Sequence, residues 1–341
     1  MNGRTGYVYD LISAQHTQAG HPECAERLAE ILDELETSGL LADLRRIDSR
    51  AATMEELLRA HTPEHVAHVQ ALSESGGGMA DEDTYLTPAS YQAARVAAGS
   101  LIDLTLAVID GTVDNGFAFV RPPGHHATRS AAMGFCLFNN VALAAKAAQQ
   151  ERGLTRIAII DFDAHHGNGT QEIFEGDPTV LYASTHQFPF YPGTGALREI
   201  EDGDITLNVP LPANVGDIGF LQLYYDVFPP VIRRFQPQIM LISAGYDCHW
   251  NDPFARLGLS QSGLARLSAT LVALAQELCG GKIVFALEGG YDMRTLRHGA
   301  ANSVRALLGR DDFTDSYGQS PRPEPDLCLL IRELKRIHGL A

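Results

Sequence analysis

Ile157-Ala-Ile-Ile-Asp-Phe-Asp-Ala-His-His-Gly-Asn-Gly169 is the stretch on which the fold turns. Its first residues form a short apolar run, rich in β-branched side chains, that predicts a buried strand rather than a helix. Acids, imidazoles and glycines then crowd together. The same change recurs at Arg121-Pro-Pro-Gly-His-His-Ala127 after Phe117–Val120, at Ser243-Ala-Gly-Tyr-Asp247 after Ile239–Ser243, and at Leu287-Glu-Gly-Gly-Tyr-Asp292 after Ile283–Leu287. Strands that are apolar throughout belong to a parallel sheet covered on both faces. The C-termini of such strands share one rim, where ligands bind. Segments far apart in the chain are therefore expected in one pocket.

Working outward, helical patterns at Phe135–Gln150, Gly169–Phe174, Phe220–Phe235 and Ser262–Leu278 separate the strands, with a further strand at Val180–Ser184. This alternation predicts an α/β fold built on a mostly parallel central sheet flanked by helices. Ile205–Val209 predicts an edge strand. Towards the N-terminus, Gly6–Tyr9 predicts the first strand, and Pro22 opens a helix running to about Gly39. Thr53 and Glu56 have capping-box spacing, Thr62-Pro63 opens the next helix, and Thr87-Pro88 starts a long Ala-rich one ending at Gly111. A Pro- and Asp-rich segment, 311–326, leads to a final amphipathic helix through Ile331. With no repeat and no shift in composition, residues 1–341 read as a single domain.

The chain has 341 residues, is 45% apolar and carries a formal net charge of −16. That charge argues against nucleic acid, whose phosphates demand Lys and Arg clusters. It fits either plain solubility or attraction of cationic substrates such as amines and Lys-rich peptides. The cysteines (Cys24, Cys136, Cys248, Cys279, Cys328) are scattered without a CxxC pair, as in a reducing compartment. Asp10 stands where a signal peptide needs an apolar core. No apolar stretch is expected to approach the ~20 residues of a membrane helix. The expectation is a soluble cytoplasmic protein with neither membrane nor nucleic acid as partner.

Asp163 and His165 are spaced i, i+2 just beyond a strand, and in extended backbone they face the same side. Asp247 lies the same short distance past Ile239–Ser243. Two carboxylates and one imidazole with an open fourth position make a catalytic zinc arrangement; strand-end acids that merely cap helices are the alternative. Gly167 and Gly169 would permit a tight turn beside a ligand. With 13 His in 341 residues, chance gives about 0.5 adjacent pairs; His125-His126 and His165-His166 are both present. Pro122-Pro123-Gly124 would hold the first pair in place.

In residues and in order, these motifs resemble the histone deacetylase family, including the bacterial deacetylase-like amidohydrolases and the acetylpolyamine amidohydrolases, from about residue 5 to residue 310. Asn168, where some branches carry Asp, and Glu288 are similar to the class II branch. The resemblance implies the arginase-deacetylase fold, with Zn²⁺ on Asp163, His165 and Asp247 to acidify a bound water and polarise an amide carbonyl. It further implies His126 as general base and acid, His125 as its electrostatic partner, and Asp161 and Asn168 as the groups orienting His125 and His126. Tyr291 would donate to the developing oxyanion. Gly134, Phe135, Tyr191 and Phe254 resemble tunnel and mouth residues; by local context Phe135 begins an amphipathic helix, and Tyr191 and Phe254 rigidify loops. Arg27 either lines a cavity behind the metal or lies on a solvated helix face. A structural K⁺ is implied among Asp161, Asp163, His165, Ser184 and Thr185, and a second near Phe174, Asp177 and Val180. The rim Asp of class I members falls near Leu86, with Asp83 close by. His249 and Trp250 either line the entrance or pack their loop.

The activity so implied is metal-dependent hydrolysis of an N-acetyl amide on a lysine side chain or a polyamine. A binuclear-manganese ureohydrolase would need further bridging ligands, whereas His166 and Asp161 are assigned to packing and His pairing. A catalytically silent acyl-amine binder would be expected to lack the tyrosine, the His pair or a metal ligand. The loop Ser73–Leu86 either shapes the pocket mouth or pairs copies of the chain into a homo-oligomer.

Overall fold

The computed structural model describes residues 4–199 and 205–340. Its strands are β1 (Thr5–Val8), β2 (Arg45–Arg46), β3 (Gly78–Met79), β4 (Tyr85–Leu86), β5 (Asn115–Ala118), β6 (Ile157–Asp161), β7 (Val180–Gln187), β8 (Ile205–Leu211), β9 (Ile239–Ala244) and β10 (Ile283–Leu287). The helices are α1 (Glu26–Thr37), α2 (Met54–Leu57), α3 (Pro63–Glu74), α4 (Ser90–Ile109), α5 (Asn140–Arg152) and α6 (Asn168–Ile173). They continue as α7 (Asp217–Asp226), α8 (Phe228–Phe235), α9 (Gln261–Cys279), α10 (Met293–Leu307) and α11 (Cys328–Ile337).

Eight strands form one sheet in the order β2-β1-β5-β10-β9-β6-β7-β8, and every neighbouring pair is parallel. Side chains alternate between two cores. Ile157, Ile159, Ile239, Leu241, Val284 and Ala286 enter the core shared with α4 and α5. Ala158, Ile160, Met240, Ile242, Ile283 and Phe285 enter the other, with α1 and α7 to α11. Both faces are dry, which is why these strands read as unbroken apolar runs.

Several expected boundaries move. β8 is an edge strand as read. At the opposite edge β2 was unforeseen, because Arg45-Arg46 has no apolar signature. The helix expected at Phe220–Phe235 is two, broken at Val227; Pro229 and Pro230 lack the N–H groups that would continue the first. The helix expected from Phe135 begins instead at Asn140, because Gly134 and Phe135 take left-handed backbone (φ +55° and +68°). Asn139 caps it through the Ala142 N–H. The last helix runs beyond Ile331 to Ile337. The Thr53–Glu56 capping box is present in both directions.

Contrary to expectation, one apolar segment does reach membrane length: α4, at 20 residues, is long and apolar enough to cross a bilayer by length and composition. It lies inside the molecule, with Ala94, Ala98, Leu101, Ile102 and Leu104 buried against the sheet. Its small residues set how closely the chain approaches. A Cβ at Gly99 would fall 2.4 Å from the Arg50 carbonyl oxygen and 2.5 Å from the Ala52 nitrogen, both backbone atoms. Gly99→Ala is therefore expected to lower stability by about 1–3 kcal/mol through overpacking. A lowered denaturant midpoint with an unchanged far-UV circular dichroism spectrum checks this.

Candidate active site

The sheet order decides which loops meet. β6 and β9 are neighbours, with Asp161 paired to Ser243, so the turns beyond them face each other. Asp163 and His165 do not sit in extended backbone as expected: Asp163 Oδ1 accepts the His165 N–H at 2.9 Å, an Asx-type turn that aims both side chains one way. From β9 comes Asp247, whose Oδ1 accepts the Ala164 N–H at 2.9 Å. His165 Nδ1 lies 3.1 Å from Asp163 Oδ1 and 3.0 Å from Asp247 Oδ2. One donor atom of each residue falls within 4.8 Å of the others. Room for this comes from missing side chains: a Cβ at Gly245 would sit 2.0 Å from Asp163 Oδ2, and one at Gly289 2.4 Å from Asp247 Oδ2. Gly124, Gly167 and Gly169 serve close approach too, since none takes the left-handed backbone that a forced turn would require.

Two buried carboxylates and an imidazole nitrogen converging on one point are the donor set of a divalent metal with open positions. Such a cluster requires positive charge within it. Burial works against charging His165, yet its hydrogen bonds to Asp163 and Asp247 raise it to about 10. A second metal has no comparable donors in His166, whose Nδ1 is 2.8 Å from Thr194 Oγ1 and Nε2 2.9 Å from Gln171 Oε1.

His125 and His126 reach the same cavity from the loop after β5, with ring centroids 4.0 Å apart. His125 Nδ1 is 3.0 Å from Asp161 Oδ2, and Asp161 also accepts from Tyr182 OH at 3.2 Å. Burial penalises a charge on His125, but Asp161, Asp163 and Glu288 outweigh it and raise it to about 10. His126 goes the other way: burial, then the charges of His125 and His165, hold it well below the ordinary imidazole range. Its Nδ1 is 2.8 Å from Asn168 Oδ1, while Asn168 Nδ2 faces the Met133 sulfur at 3.4 Å. An amide oxygen only accepts, so His126 keeps its proton on Nδ1 and presents a bare Nε2. The two neighbouring imidazoles are biased in opposite directions, His125 toward its charged form and His126 toward its neutral form.

Tyr291 follows β10. Burial, reinforced by Asp247 and Asp163 against the opposing Arg27, keeps its hydroxyl protonated far above pH 10; it is a donor. Arg27 is not on a solvated face. It is fully buried, giving Nε to the Gly290 carbonyl at 2.8 Å, Nη2 to the Glu288 carbonyl at 2.5 Å and Nη1 to Glu23 at 3.1 Å. Glu23 in turn is clasped by Arg121.

Above these groups lies a cavity of about 220 Å³, bordered by His125, His126, Asp163, His165 and Tyr291 and walled by Phe135, Phe190, Tyr191 and Phe254. Phe135 is therefore a wall in a left-handed kink and not a helix start. Its ring stands edge-on to Tyr291 at 5.8 Å. Gly134 backs directly onto His126, where a Cβ would lie 2.4 Å from Cδ2. Tyr191 stands edge-on to His126 at 5.2 Å. Phe190, which the sequence reading passed over beside Tyr191, stacks on His165 at 5.4 Å. At the rim the cavity borders Asp83, whereas Leu86 is buried in β4. Trp250 packs away from it, its Nε1 donating to the Gly318 carbonyl at 2.9 Å and its ring 5.8 Å from Tyr317; His249 lies buried with it. Ser184 is paired in register with Asp161 and bonds His186 at 2.9 Å, and Thr185 bonds Tyr224 at 3.2 Å. Near Phe174, Asp177 and Val180, the Lys146 ammonium sits 3.0 Å from Asp177 and 4.6 Å from the Phe174 ring centre.

Comparison with known proteins adds to this geometry. Residues 21–307 match the histone deacetylase domain model. The chain is 41% identical over 358 residues to the chloroplastic histone deacetylase 14 of Arabidopsis thaliana, covering 98% of this chain and 85% of that one. It is 40% identical over 352 residues to a probable deacetylase of Archaeoglobus fulgidus, covering 98% of each. The polyamine deacetylase HDAC10 of Mus musculus is 39% identical over 307 residues, 84% of this chain and 45% of that protein. The crystal structure of the HDA15 HD domain superposes with a TM-score of 0.90 at 37% identity, covering 99% of this chain and 95% of that one.

The pairing of His126 with an uncharged Asn168 makes a directional prediction. A base works in its neutral form, so activity falls as pH drops through its pKa. Asn168→Asp places a negative charge against Nδ1 and is expected to move the acid limb of the kcat/KM profile up by about 1–3 pH units. An unmoved limb would contradict the assigned role of Asn168.

Proposed function

The chain belongs to the histone deacetylase family and is a deacetylase-type hydrolase of acyl amides; from that premise we propose that it works with Zn²⁺ and removes acetyl groups from amines on flexible alkyl stems, as in acetyl-lysine or an acetylpolyamine. The observation that carries this reading is the meeting of three unlike elements at the floor of one aromatic-walled cavity: the Asp163/His165/Asp247 set, the bare Nε2 of His126 and the protonated Tyr291. When bound, the ion supplies Lewis-acid polarisation of the carbonyl and lowers the pKa of the attacking water.

The remaining chemistry belongs to the chain. His126 takes the proton from the water as it attacks and returns it to the amine nitrogen as the C–N bond breaks. His125 stays charged throughout, because Asp161 holds its other nitrogen. Tyr291 donates to the carbonyl oxygen as that atom gains negative charge. Phe135, Phe190, Tyr191 and Phe254 bury the methylene stem, a use that suits aromatic faces. Amide and water become a carboxylate and an alkylammonium ion, the amine nitrogen taking up both protons of the water. Asp83 at the rim and the net charge of −16 support a cationic substrate, and the likeness to a polyamine deacetylase supports the polyamine branch of the proposal. A K⁺ among the ends of β6 and β7 is part of the same reading, resting on the family resemblance.

Fluorogenic acetyl-lysine, acetylputrescine and acetylspermidine tested side by side, with and without chelator, provide the test. Turnover that chelator abolishes and Zn²⁺ restores is expected; chelator-insensitive turnover, or none on any acyl amine after zinc loading, would overturn the proposal. Tyr291→Phe is expected to lower kcat by about 10²–10³-fold with metal content unchanged by elemental analysis.

A further inference from the structure

The peptide plane between Gly290 and Tyr291 is held at both ends by buried polar side chains. On one side its carbonyl accepts from Arg27 Nε at 2.8 Å. On the other its N–H donates to Asp252 Oδ2 at 2.7 Å. Asp252 comes from the loop between β9 and α9 and is 6% exposed. The same Oδ2 accepts the Asp292 N–H at 3.1 Å, and Oδ1 accepts the Phe254 N–H at 2.9 Å. The Phe254 ring lies 4.7 Å from the Tyr291 ring. One carboxylate thus fixes the backbone that launches Tyr291 and the aromatic wall that packs against it.

This restraint answers a local weakness. Tyr291 follows Gly289 and Gly290, and Gly290 has φ +119°, a conformation open to glycine and rarely adopted by L side chains. Glycine pairs lose the most conformational freedom on ordering, and no side chain of their own can hold the turn. A donor used for oxyanion stabilisation must be preorganised to within about half an ångström. We propose that Asp252 is a positioning residue: with Arg27 it clamps the 290–291 peptide and thereby sets where the Tyr291 hydroxyl points. The proposal rests on the deacylase reading only for Tyr291's role; the clamp itself is a statement about the folded chain.

A double-mutant cycle tests it. Asp252→Asn keeps the size but loses one acceptor oxygen, so the clamp or the Phe254 tie must give way. In the metal-loaded enzyme, Asp252→Asn is expected to lower kcat at least tenfold. In a Tyr291→Phe background the same change is expected to cost less than twofold, because the hydroxyl being positioned is already gone. A fall at least fivefold larger with Tyr291 present supports positioning; a smaller difference means that Asp252 acts through general structure and overturns the proposal. Asp252→Ser serves in the same cycle should the Asn variant be insoluble. Independently of catalysis, the Tyr291 amide of the wild-type protein is expected to exchange slowly with deuterium; rapid exchange there would also overturn the clamp. If no variant and no wild-type preparation hydrolyses any acyl amine, the deacylase reading fails, while the exchange measurement still decides the clamp.

Discussion

The interaction on which the rest depends is the compensation of buried negative charge. Asp161, Asp163, Asp247, Asp252 and Glu288 are all buried at the ends of β6, β9 and β10. An ionised carboxylate taken out of water without a partner costs several kcal/mol, so each must find a cation or a set of donors. His125 serves as a cation, Asp163 and Asp247 share their charge with His165 as the donor set of a divalent ion, and the N–H groups of Gly124, Ala164, Gly289 and Tyr291 point into the cluster. Even with three hydrogen-bond donors each, Asp252 and Glu288 are pushed up to about 7 by burial and by the neighbouring carboxylates. Beneath them Glu23 meets the same constraint with Arg27, Arg121 and His16 around it.

That cluster exists because of strand order. β9 lies between β6 and β10, although long stretches of chain separate them. Crossovers over both faces leave only the strand ends free to carry polar turns, and neighbouring ends deliver Asp163, Asp247 and Gly289 to contact distance. Glycine then sets the spacing: at Gly245 and Gly289 a single carbon would occupy the volume of the carboxylate oxygens. The packing that makes the sheet and the gap that makes the site are one arrangement.

What could be read from the sequence follows the same division. The central strands were legible because burial on both faces leaves an unbroken apolar signature. The site segments were legible because the strand ends concentrate residue types that have little reason to be buried together. Arg45-Arg46 was not, since an edge pair of arginines looks like surface. Phe135 was misread as a helix start because the left-handed kink at Gly134 and Phe135, which lets Gly134 rest on His126 from the same loop, leaves no mark in the apolar pattern. By helix pattern alone Arg27 could not be told from a charge on a solvated face; Glu23 and the carbonyls of residues 288 and 290 show why it is inside. Asp83 and Asp252 have the same difficulty: an Asp in a loop reads as a turn residue until its partner, brought by another strand, is known. Phe190 stood beside a residue that was singled out, and aromatic neighbours in a Pro- and Gly-rich loop give no sign of which ring faces the metal ligands.

The two adjacent histidines show how little sequence difference is needed to assign opposite duties. Two unit charges about 4 Å apart repel by about 4 kcal/mol at an effective dielectric constant near 20, equivalent to about three pH units. With ring centroids 4.0 Å apart, His125 and His126 therefore cannot both be protonated near neutrality. Which one carries the proton is decided beyond the pair, where Asp161 offers His125 a full negative charge and Asn168 offers His126 only a dipole. Asp161 favours the charged form of His125, and burial together with that neighbouring charge favours the neutral form of His126. In the proposed reaction, a base kept neutral in this way would be ready to accept a proton at physiological pH, and the positive charge beside it would speed the return of that proton to a departing amine.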